Sequence, residues 1–482
     1  MNILFLQAPS FEGFDGGAGS RYQARREIRS FWYPTWLAQA AAMVPSGKLI
    51  DAPPHGLGLA QVLEEIKSFD AVICHTSTPS FQVDVSTLEA LKEAKPGLIT
   101  GLIGAKAAVD PDGCLNASKA IDFVAREEFD FTVQELAEGR TWQDIRGLSY
   151  RNPNGQIVHN EDRAILENMD LLPFVTPVYK RDLDISKYFI GYLRHPYLSF
   201  YTGRGCKSRC TFCLWPHTVG GHRYRTRSVG HVVDEVKWAK NAFPEVKEIF
   251  FDDDTFTDDP RRAEAIAREL GKLNITWSCN AKANVPRNTL EVLKENGLRL
   301  LLVGYETGNQ QILYNIKKGM RIDVAKRFSK DCRELGIAIH GTFILGLPGE
   351  TKETIEETIR FAQEVNPHTI QVSLAAPYPG TYLYDQAVRE GWLDAANAEL
   401  VDANGVQLAP LTYPHLSHTE IFNSVEDFYR RFYLRIPKIA SIVSEMVTSP
   451  VMMKRRLREG KEFFDFLRER RRAAHSPTAA GS

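Results

Sequence analysis

The chain has 482 residues, of which 43% are hydrophobic and 25% charged, with a net charge of −1. That length exceeds one ordinary domain, and the composition is that of a globular protein with a sizeable core. The balanced charge excludes a global electrostatic case for nucleic acid, and no run approaches the ~20 apolar residues a spanning helix needs.

Seven cysteines, an odd number with three clustered, do not make a disulfide framework and fit a reducing compartment. The amino end, Met1-Asn2-Ile3-Leu4-Phe5-Leu6-Gln7, lacks a basic flank, and its apolar run is too short for a signal peptide. A cytoplasmic location is expected.

Residues 1–140 alternate short apolar runs (3–6, 49–51, 71–75, 98–103, 121–125) with helical patterns (36–43, 59–69, 83–94, 131–137). This pitch predicts a doubly wound, Rossmann-like parallel sheet that binds ligands at its strands' carboxyl ends. After the first strand comes a glycine-rich, then basic and aromatic insertion at 12–33, including Gly16, Gly17, Arg21, Arg26, Phe31, Trp32 and Tyr33. It reads as a pocket wall for a polar, ring-containing substrate, or as a loop held by an aromatic anchor. Residues 141–195, with Pro153, Pro173 and Pro177, read as a linker carrying a small hairpin at Asn152-Pro153-Asn154-Gly155.

A second βα series begins at Tyr197 and spans 196–400. Its strands (197–201, 246–251, 275–278, 298–303, 337–345, 369–375) each lead into a polar or glycine-rich cluster. Six such units predict a partial (β/α)6, TIM-like barrel with its site at the carboxyl rim. The α/β architecture ends in a helical region over 401–482. Its basic, amphipathic end, with Leu457, Phe464 and Leu467 on one face, suits either an anionic membrane surface or packing on the barrel. Residues 475–482 are expected to be disordered.

The first barrel strand leads into Gly203-Arg204-Gly205-Cys206-Lys207-Ser208-Arg209-Cys210-Thr211-Phe212-Cys213. Tetrahedral zinc wants four ligands, and no second cysteine pair follows. A [4Fe–4S] cluster normally takes four thiolates, so Cys206, Cys210 and Cys213 would leave one iron open for chemistry. Cys74, Cys114, Cys279 and Cys332 have no mutual ligand spacing and read as buried thiols; Cys279, at a strand end, is the one worth testing. His217, His222, Arg223, Arg225 and Arg227 follow closely and could bind substrate or brace the loop.

The C-x3-C-x2-C spacing, with an aromatic before the third cysteine, resembles the radical S-adenosylmethionine (SAM) superfamily. The resemblance implies that the three cysteines hold the cluster and the open iron chelates SAM. It further implies that Phe212 lies against the adenine and that an acid among Asp252, Asp253 and Asp254 meets the SAM ammonium; strand alternation means that they cannot all point into the barrel, and Asp253 or Asp254 is favoured. Lys282 stands where relatives often carry an arginine for the SAM carboxylate, and Glu306 where they contact the ribose. Gly346, Pro377 and Thr381 fall in segments that line the adenine. The first domain resembles the cobalamin-binding domain of one branch of this superfamily, although Asp51 and His55 are four apart and no D-x-H-x-x-G motif is present. A bound corrinoid, or a domain retained for architecture or substrate, both remain open.

Across nearly its full length the chain is similar to the hopanoid-biosynthesis radical SAM proteins of the bacteriohopanetetrol cyclitol ether synthase type. Phe11-Glu12-Gly13-Phe14-Asp15-Gly16-Gly17 and Pro414-His415-Leu416-Ser417-His418-Thr419-Glu420 carry that similarity. It implies a 5′-deoxyadenosyl radical that contracts the glucosamine headgroup of a hopanoid glycolipid to a cyclitol ether. It also implies an electron donor of flavodoxin or ferredoxin type and peripheral contact with the inner membrane surface. The alternatives are a cobalamin-dependent radical SAM methyltransferase, and a non-catalytic corrinoid or cluster-binding sensor.

Overall fold

A computed structural model of the protein describes residues 1–10, 24–448 and 450–474. The first sheet runs β2-β1-β3-β4-β5, all parallel, with β1 (Ile3–Gln7), β2 (Lys48–Asp51), β3 (Ala71–His75), β4 (Ile99–Ile103) and β5 (Phe123–Ala125). Both faces of a parallel sheet are covered, so its strands read as unbroken apolar runs. Leu4, Leu6, Val72 and Cys74 enter one core, while Ile3, Phe5, Ala71 and Ile73 enter the other, which continues into the barrel. Alternation of side chains along each strand divides them so. The hairpin expected at 152–155 forms: the Asn152 carboxamide oxygen accepts from the Asn154 and Gln156 amides, and Gly155 turns with φ of +80°. Its strands extend the first sheet, β6 (Leu148–Arg151) antiparallel to β5 and β7 (Ile157–His159) antiparallel to β6. Here α1 (Thr35–Ala42) and α2 (Ala105–Val109) are the helices that face the second unit.

The barrel is a curled sheet of six parallel strands in chain order. They are β8 (Tyr197–Phe200), β11 (Glu248–Phe251), β12 (Trp277–Ala281), β13 (Leu298–Glu306), β14 (Ala338–Leu345) and β15 (Thr369–Leu374). Between β8 and β11, the short antiparallel β9 (Gly203–Arg204) and β10 (Arg225–Thr226) flank the cysteine loop. The strand expected at 275–278 starts two residues later. Trp277 sets its start, fully buried, with its indole N–H donating to the Asn296 carbonyl at 2.8 Å. The helices are α3 (Leu214–Thr218), α4 (Val229–Ala242), α5 (Pro260–Lys272), α6 (Arg287–Glu295), α7 (Ile322–Glu334), α8 (Lys352–Val365) and α9 (Tyr382–Arg389). In α5, Asp259 caps the Arg262 amide, Pro260 starts the helix, and Ala263, Ile266, Ala267 and Leu270 bury one stripe.

Six strands do not close a barrel, and β8 and β15 remain the two edges of the sheet. Residues 24–33 wall the seam between them. Tyr33 donates to the Tyr197 carbonyl at 2.8 Å, Tyr197 donates to the Phe31 carbonyl at 3.1 Å, and Arg26 reaches Gln371 on β15 at 2.9 Å. Phe31, Trp32 and Tyr33 are therefore core residues, an aromatic anchor, while Trp32 and Arg26 also line a cavity at the barrel rim, so the insertion serves as both anchor and pocket wall; its glycines and Arg21 lie outside the described residues.

The open edge of β15 is sealed by side chains. The amides of Ile370, Val372 and Leu374 donate to Tyr433, Tyr429 and Gln407 at 3.0, 2.9 and 2.8 Å. Both tyrosines sit on α10 (His418–Tyr433), which is capped by Ser417 with Glu420 reaching back. A hairpin of α11 (Ile436–Thr448) and α12 (Pro450–Ala474) ends the described chain. On α12, Leu467 packs inward while Leu457 and Phe464 face solvent, so the stripe read from the sequence splits between core and surface. None of the described helices is long and apolar enough to cross a membrane.

Candidate functional site

At the carboxyl rim of the barrel lies a cavity of about 270 Å³. Cys206, Cys210 and Cys213 line one wall of it, with Phe212 beside them. The loop that presents them is tied down by its backbone. The Cys206 amide donates to the Gly221 carbonyl at 3.2 Å, the Thr211 amide to Ile316 at 3.0 Å, and the Cys213 amide to Cys210 at 3.3 Å. Cys206 and Cys210 are buried, Cys213 is half-buried, and all seven cysteines are free thiols. Among the described residues, no three His, Cys, Asp or Glu side chains converge on a point that would hold a single ion. Three thiolates sharing one cavity wall instead fit a cluster in which each binds its own iron. Burial pushes the Cys210 thiol up, and the nearby Lys318 ammonium is the largest opposing influence.

Lys318 was not anticipated. It pairs with Glu306 at 2.5 Å, and both side chains are buried at the cavity. Burial alone would lower its pKa, but Glu306 and Cys210 outweigh that and hold it above the usual lysine value. Gly304 makes room for the pair, since a Cβ there would sit 2.4 Å from the Glu306 carboxylate and 2.9 Å from the Lys318 ammonium. Glu306 itself takes a left-handed backbone, φ +64°, a strained choice for a non-glycine residue. The signal was a Lys317-Lys318-Gly319 turn far from any strand end, where a search of strand ends does not look.

Of the acids, Asp254 lines the cavity and Asp253 does not. The Asp253 carboxylate is fully buried and accepts from the Thr202 amide, the Thr202 hydroxyl and the Tyr224 hydroxyl at 2.5, 2.6 and 2.7 Å. It braces the root of the cysteine loop, which corrects its expected place at the cavity; Asp252 is likewise turned toward Asn280 at 3.0 Å. Lys282 reaches the cavity wall while paired with Asp258 at 2.7 Å. Gly346, Pro377 and Thr381 lie outside the wall, another correction. Thr381 caps α9, accepting from the Tyr384 amide, and the Gly346 carbonyl accepts from Tyr413 at 2.8 Å. Neighbouring Ala375, Ala376 and Tyr378 line the cavity in their place. Cys279 is fully buried, and burial pushes its thiol up; it does not reach the cavity.

The histidines and arginines after the loop brace it. His217 and His222 bond the Cys210 and Ser208 carbonyls, each at 3.1 Å. Arg225 forks onto Glu128 at 2.7 Å and Arg204 onto Asp130 at 2.6 Å, both from the first domain and all four buried. Arg227 meets Glu235 at 2.5 Å, and Arg223 pairs with Glu167 at the surface. Arg204 also lies over Trp36 at 4.4 Å, and Trp36 stacks on Trp215 of α3 at 5.6 Å. The cysteine loop is thus bolted to the first sheet.

That sheet turns its carboxyl edge toward the same region, since α2, which leaves β4, packs on α3, which leaves the cysteine loop. Strand order 2-1-3-4-5 reverses between β1 and β3, the switch point at which doubly wound sheets bind ligands. Gln7 and His75 end those two strands. The Gln7 carboxamide oxygen and both His75 ring nitrogens are buried with no hydrogen-bond partner among the described residues. Burial depresses His75 to about 3, so the ring is neutral. Gly104 beside it has φ of +110°, and a Cβ there would come 2.4 Å from the Thr76 carbonyl. Unpaired buried polar groups are costly, and a polar ligand at this edge would relieve them. His55 is no candidate ligand: its nitrogens are taken by the Asp51 carbonyl at 2.8 Å and the Asp184 amide at 3.1 Å.

Residues 200–362 match the family model of the radical SAM superfamily. The chain is 30% identical over 431 residues to an uncharacterized methyltransferase of Pyrococcus horikoshii, covering 86% of this chain and 90% of that protein. It is 26% identical to the anaerobic magnesium-protoporphyrin IX monomethyl ester cyclase of Rubrivivax gelatinosus, covering 90% and 78%. Its fold is similar to that of the cobalamin-dependent SAM radical enzyme OxsB with aqua-cobalamin and SAM bound. That match has a TM-score of 0.68 at 15% identity, covering 98% of this chain and 71% of that one.

Proposed function

The chain belongs to the radical SAM superfamily, whose members use a [4Fe–4S] cluster and SAM, and from that premise we propose that it is a cobalamin-dependent radical SAM enzyme of methyltransferase type. The observation that carries this is the pairing of two sites: a cysteine-walled cavity, and a sheet edge where the Gln7 carboxamide oxygen and the His75 ring nitrogens are buried with no partner among the described residues. The methyltransferase named among the relatives, and the cobalamin-dependent enzyme whose fold this chain shares, favour it over headgroup contraction.

When bound, the cluster, SAM and corrinoid supply one-electron chemistry and a transferable methyl group. The chain's own part is binding and exclusion. Cys206, Cys210 and Cys213 would hold the cluster, with Phe212 beside the SAM site. Asp254, on the cavity wall, would suit the SAM ammonium, because a carboxylate matches three donors and a positive charge. Lys318, paired with Glu306, would favour the anionic thiolates, and Lys282 the SAM carboxylate. Gln7 and His75 would serve the polar groups of a corrinoid. Residues 24–33 close the seam, keeping solvent and stray hydrogen donors from a reactive site. Electrons would come from a flavodoxin- or ferredoxin-type donor; boundaries near 195 and 400 would divide the working parts, and the hairpin that follows residue 140 goes with the first sheet.

A second reading, contraction of the glucosamine headgroup of a hopanoid glycolipid, is favoured by one feature. An apolar cleft of about 270 Å³ on the far side of Arg26 would suit a lipid body. Anaerobic reconstitution with SAM, a reductant and each candidate substrate, with and without cobalamin, separates the readings. Retained corrinoid, S-adenosylhomocysteine and a methylated product are expected. Turnover without corrinoid, yielding 5′-deoxyadenosine and a cyclitol ether from the glycolipid, would overturn the first reading in favour of the second.

A further inference from the structure

The α11–α12 hairpin presents to solvent what helices normally bury. On α11, Ile436, Ile439, Val443 and Val447 recur at helical spacing along one stripe, with Ile436 and Val447 83% and 80% exposed. On α12, Met453, Leu457 and Phe464 do the same, the last two 60% and 56% exposed. Isolated exposed apolar residues are ordinary, but two aligned stripes on one hairpin are a patch that calls for a cover.

Charge identifies the cover. From 436 to 474 the chain carries ten lysines and arginines against five acids. Some of these charges pair with one another, Glu445 and Glu459 with Arg456 at 2.5 and 2.7 Å and Asp465 with Arg468 at 3.1 Å, and the excess of bases is left over. Lys454, next to Met453, and Lys461, four residues after Leu457, flank the α12 stripe, are exposed, and make no ion pair among the described residues. An apolar stripe edged by uncompensated lysines matches a surface with an apolar interior and an anionic skin. A protein partner would need its own apolar patch rimmed with acid, and nothing in the chain points to one.

The patch is also the mouth of the cleft beyond Arg26. Leu434, Ile439, Val443 and Phe464 are at once exposed and part of its wall, which runs in to His340 and Thr369 near the amino ends of β14 and β15. Arg26, held by Gln371, lines both this cleft and the cysteine-walled cavity. We propose that the hairpin is a docking face for anionic lipid bilayers, and that it opens this cleft to the acyl-chain layer.

The test uses the full chain with its cluster reconstituted anaerobically. It is mixed with vesicles of phosphatidylglycerol and phosphatidylcholine, or of phosphatidylcholine alone, and sedimented. Binding to the anionic vesicles is expected, weakening as salt rises. Val447→Glu with Leu457→Glu should abolish it, and Lys454→Glu with Lys461→Glu should weaken it about 10-fold or more. All four positions are exposed, so cluster absorbance and the melting temperature should match the parent. No binding to either vesicle, equal binding to both, or a dimer in solution that the Val447 and Leu457 substitutions dissolve would each overturn the proposal. None of these readouts depends on the reaction, so the membrane face and the proposed chemistry stand or fall separately.

Discussion

Glu350 shows how much one side chain depends on its surroundings. One of its oxygens accepts from the Gly346 and Leu347 amides, the other is buried without a partner among the described residues, and burial raises its pKa to about 8. Unfolded, the group would titrate near 4.5. Between these values the folded protein holds a proton that the unfolded chain releases, so stability is full below about pH 4.5 and falls as pH rises toward 8. The slope should be about 1.4 kcal/mol per pH unit at most within that window. Denaturant titrations from pH 5 to 8 should therefore show a decline that Glu350→Gln, which still accepts from both amides, largely removes. Parallel curves for parent and variant would mean the carboxyl ionises freely. Lys318 and Asp253 teach the converse at the same scale. A lysine in an unremarkable turn becomes the counter-charge of the cavity, and an acid with a favoured address is spent on bracing Thr202.

Among elements, the decisive contact joins the cysteine loop to the first sheet. Arg204 and Arg225 leave β9 and β10 and meet Asp130 and Glu128, which lie just beyond β5. Removing one partner of a buried pair strands the other charge in a poor solvent. Glu128→Ala should cost about 3–5 kcal/mol by that argument. It should also lower the iron retained per chain, because the loop loses its anchor. Anaerobic melting curves together with iron analysis check both; a normal iron content in a folded variant would show that the loop holds its shape unaided. The seam tells a similar story. A six-stranded sheet leaves two edges, and the residues that cover them come from the ends of the chain: 24–33 at the front, Tyr429 and Tyr433 at the back.

For the whole molecule, the first domain and the barrel meet where each carries its reactive edge. Among the described residues the Gln7 carboxamide oxygen and both His75 ring nitrogens are buried with no hydrogen-bond partner, a cost of about 1–3 kcal/mol for each unpaired group. His75→Leu should accordingly raise the melting temperature of the corrinoid-free protein while reducing the corrinoid it retains, read from the visible absorbance after desalting. A variant that gains stability and still retains full corrinoid would place the ligand elsewhere. A binding site held ready at the expense of stability is what opposite signs in these two measurements would mean.

Much of this was legible in the amino-acid sequence, because it depends on neighbours in the chain. Apolar runs and helical periods placed the five parallel strands of the first sheet and the six of the barrel to within a few residues, but not the joining of the 152–155 hairpin to the first sheet. The cysteine spacing named a metal loop at the end of the first barrel strand without any structure. Strand alternation showed only that the three acids cannot all face the barrel; which one reaches the cavity was decided by the hydrogen bonds that hold the Asp253 carboxylate on Thr202 and Tyr224. Tertiary structure alone decided that Lys318 meets Glu306 and that Thr381 is a helix cap. It alone decided that Arg26 stands between two cavities and that Leu467 is buried while Leu457 is not. Each of these depends on groups brought together from distant positions, where packing and desolvation, acting on the assembled fold, choose among side chains that look equivalent along the chain.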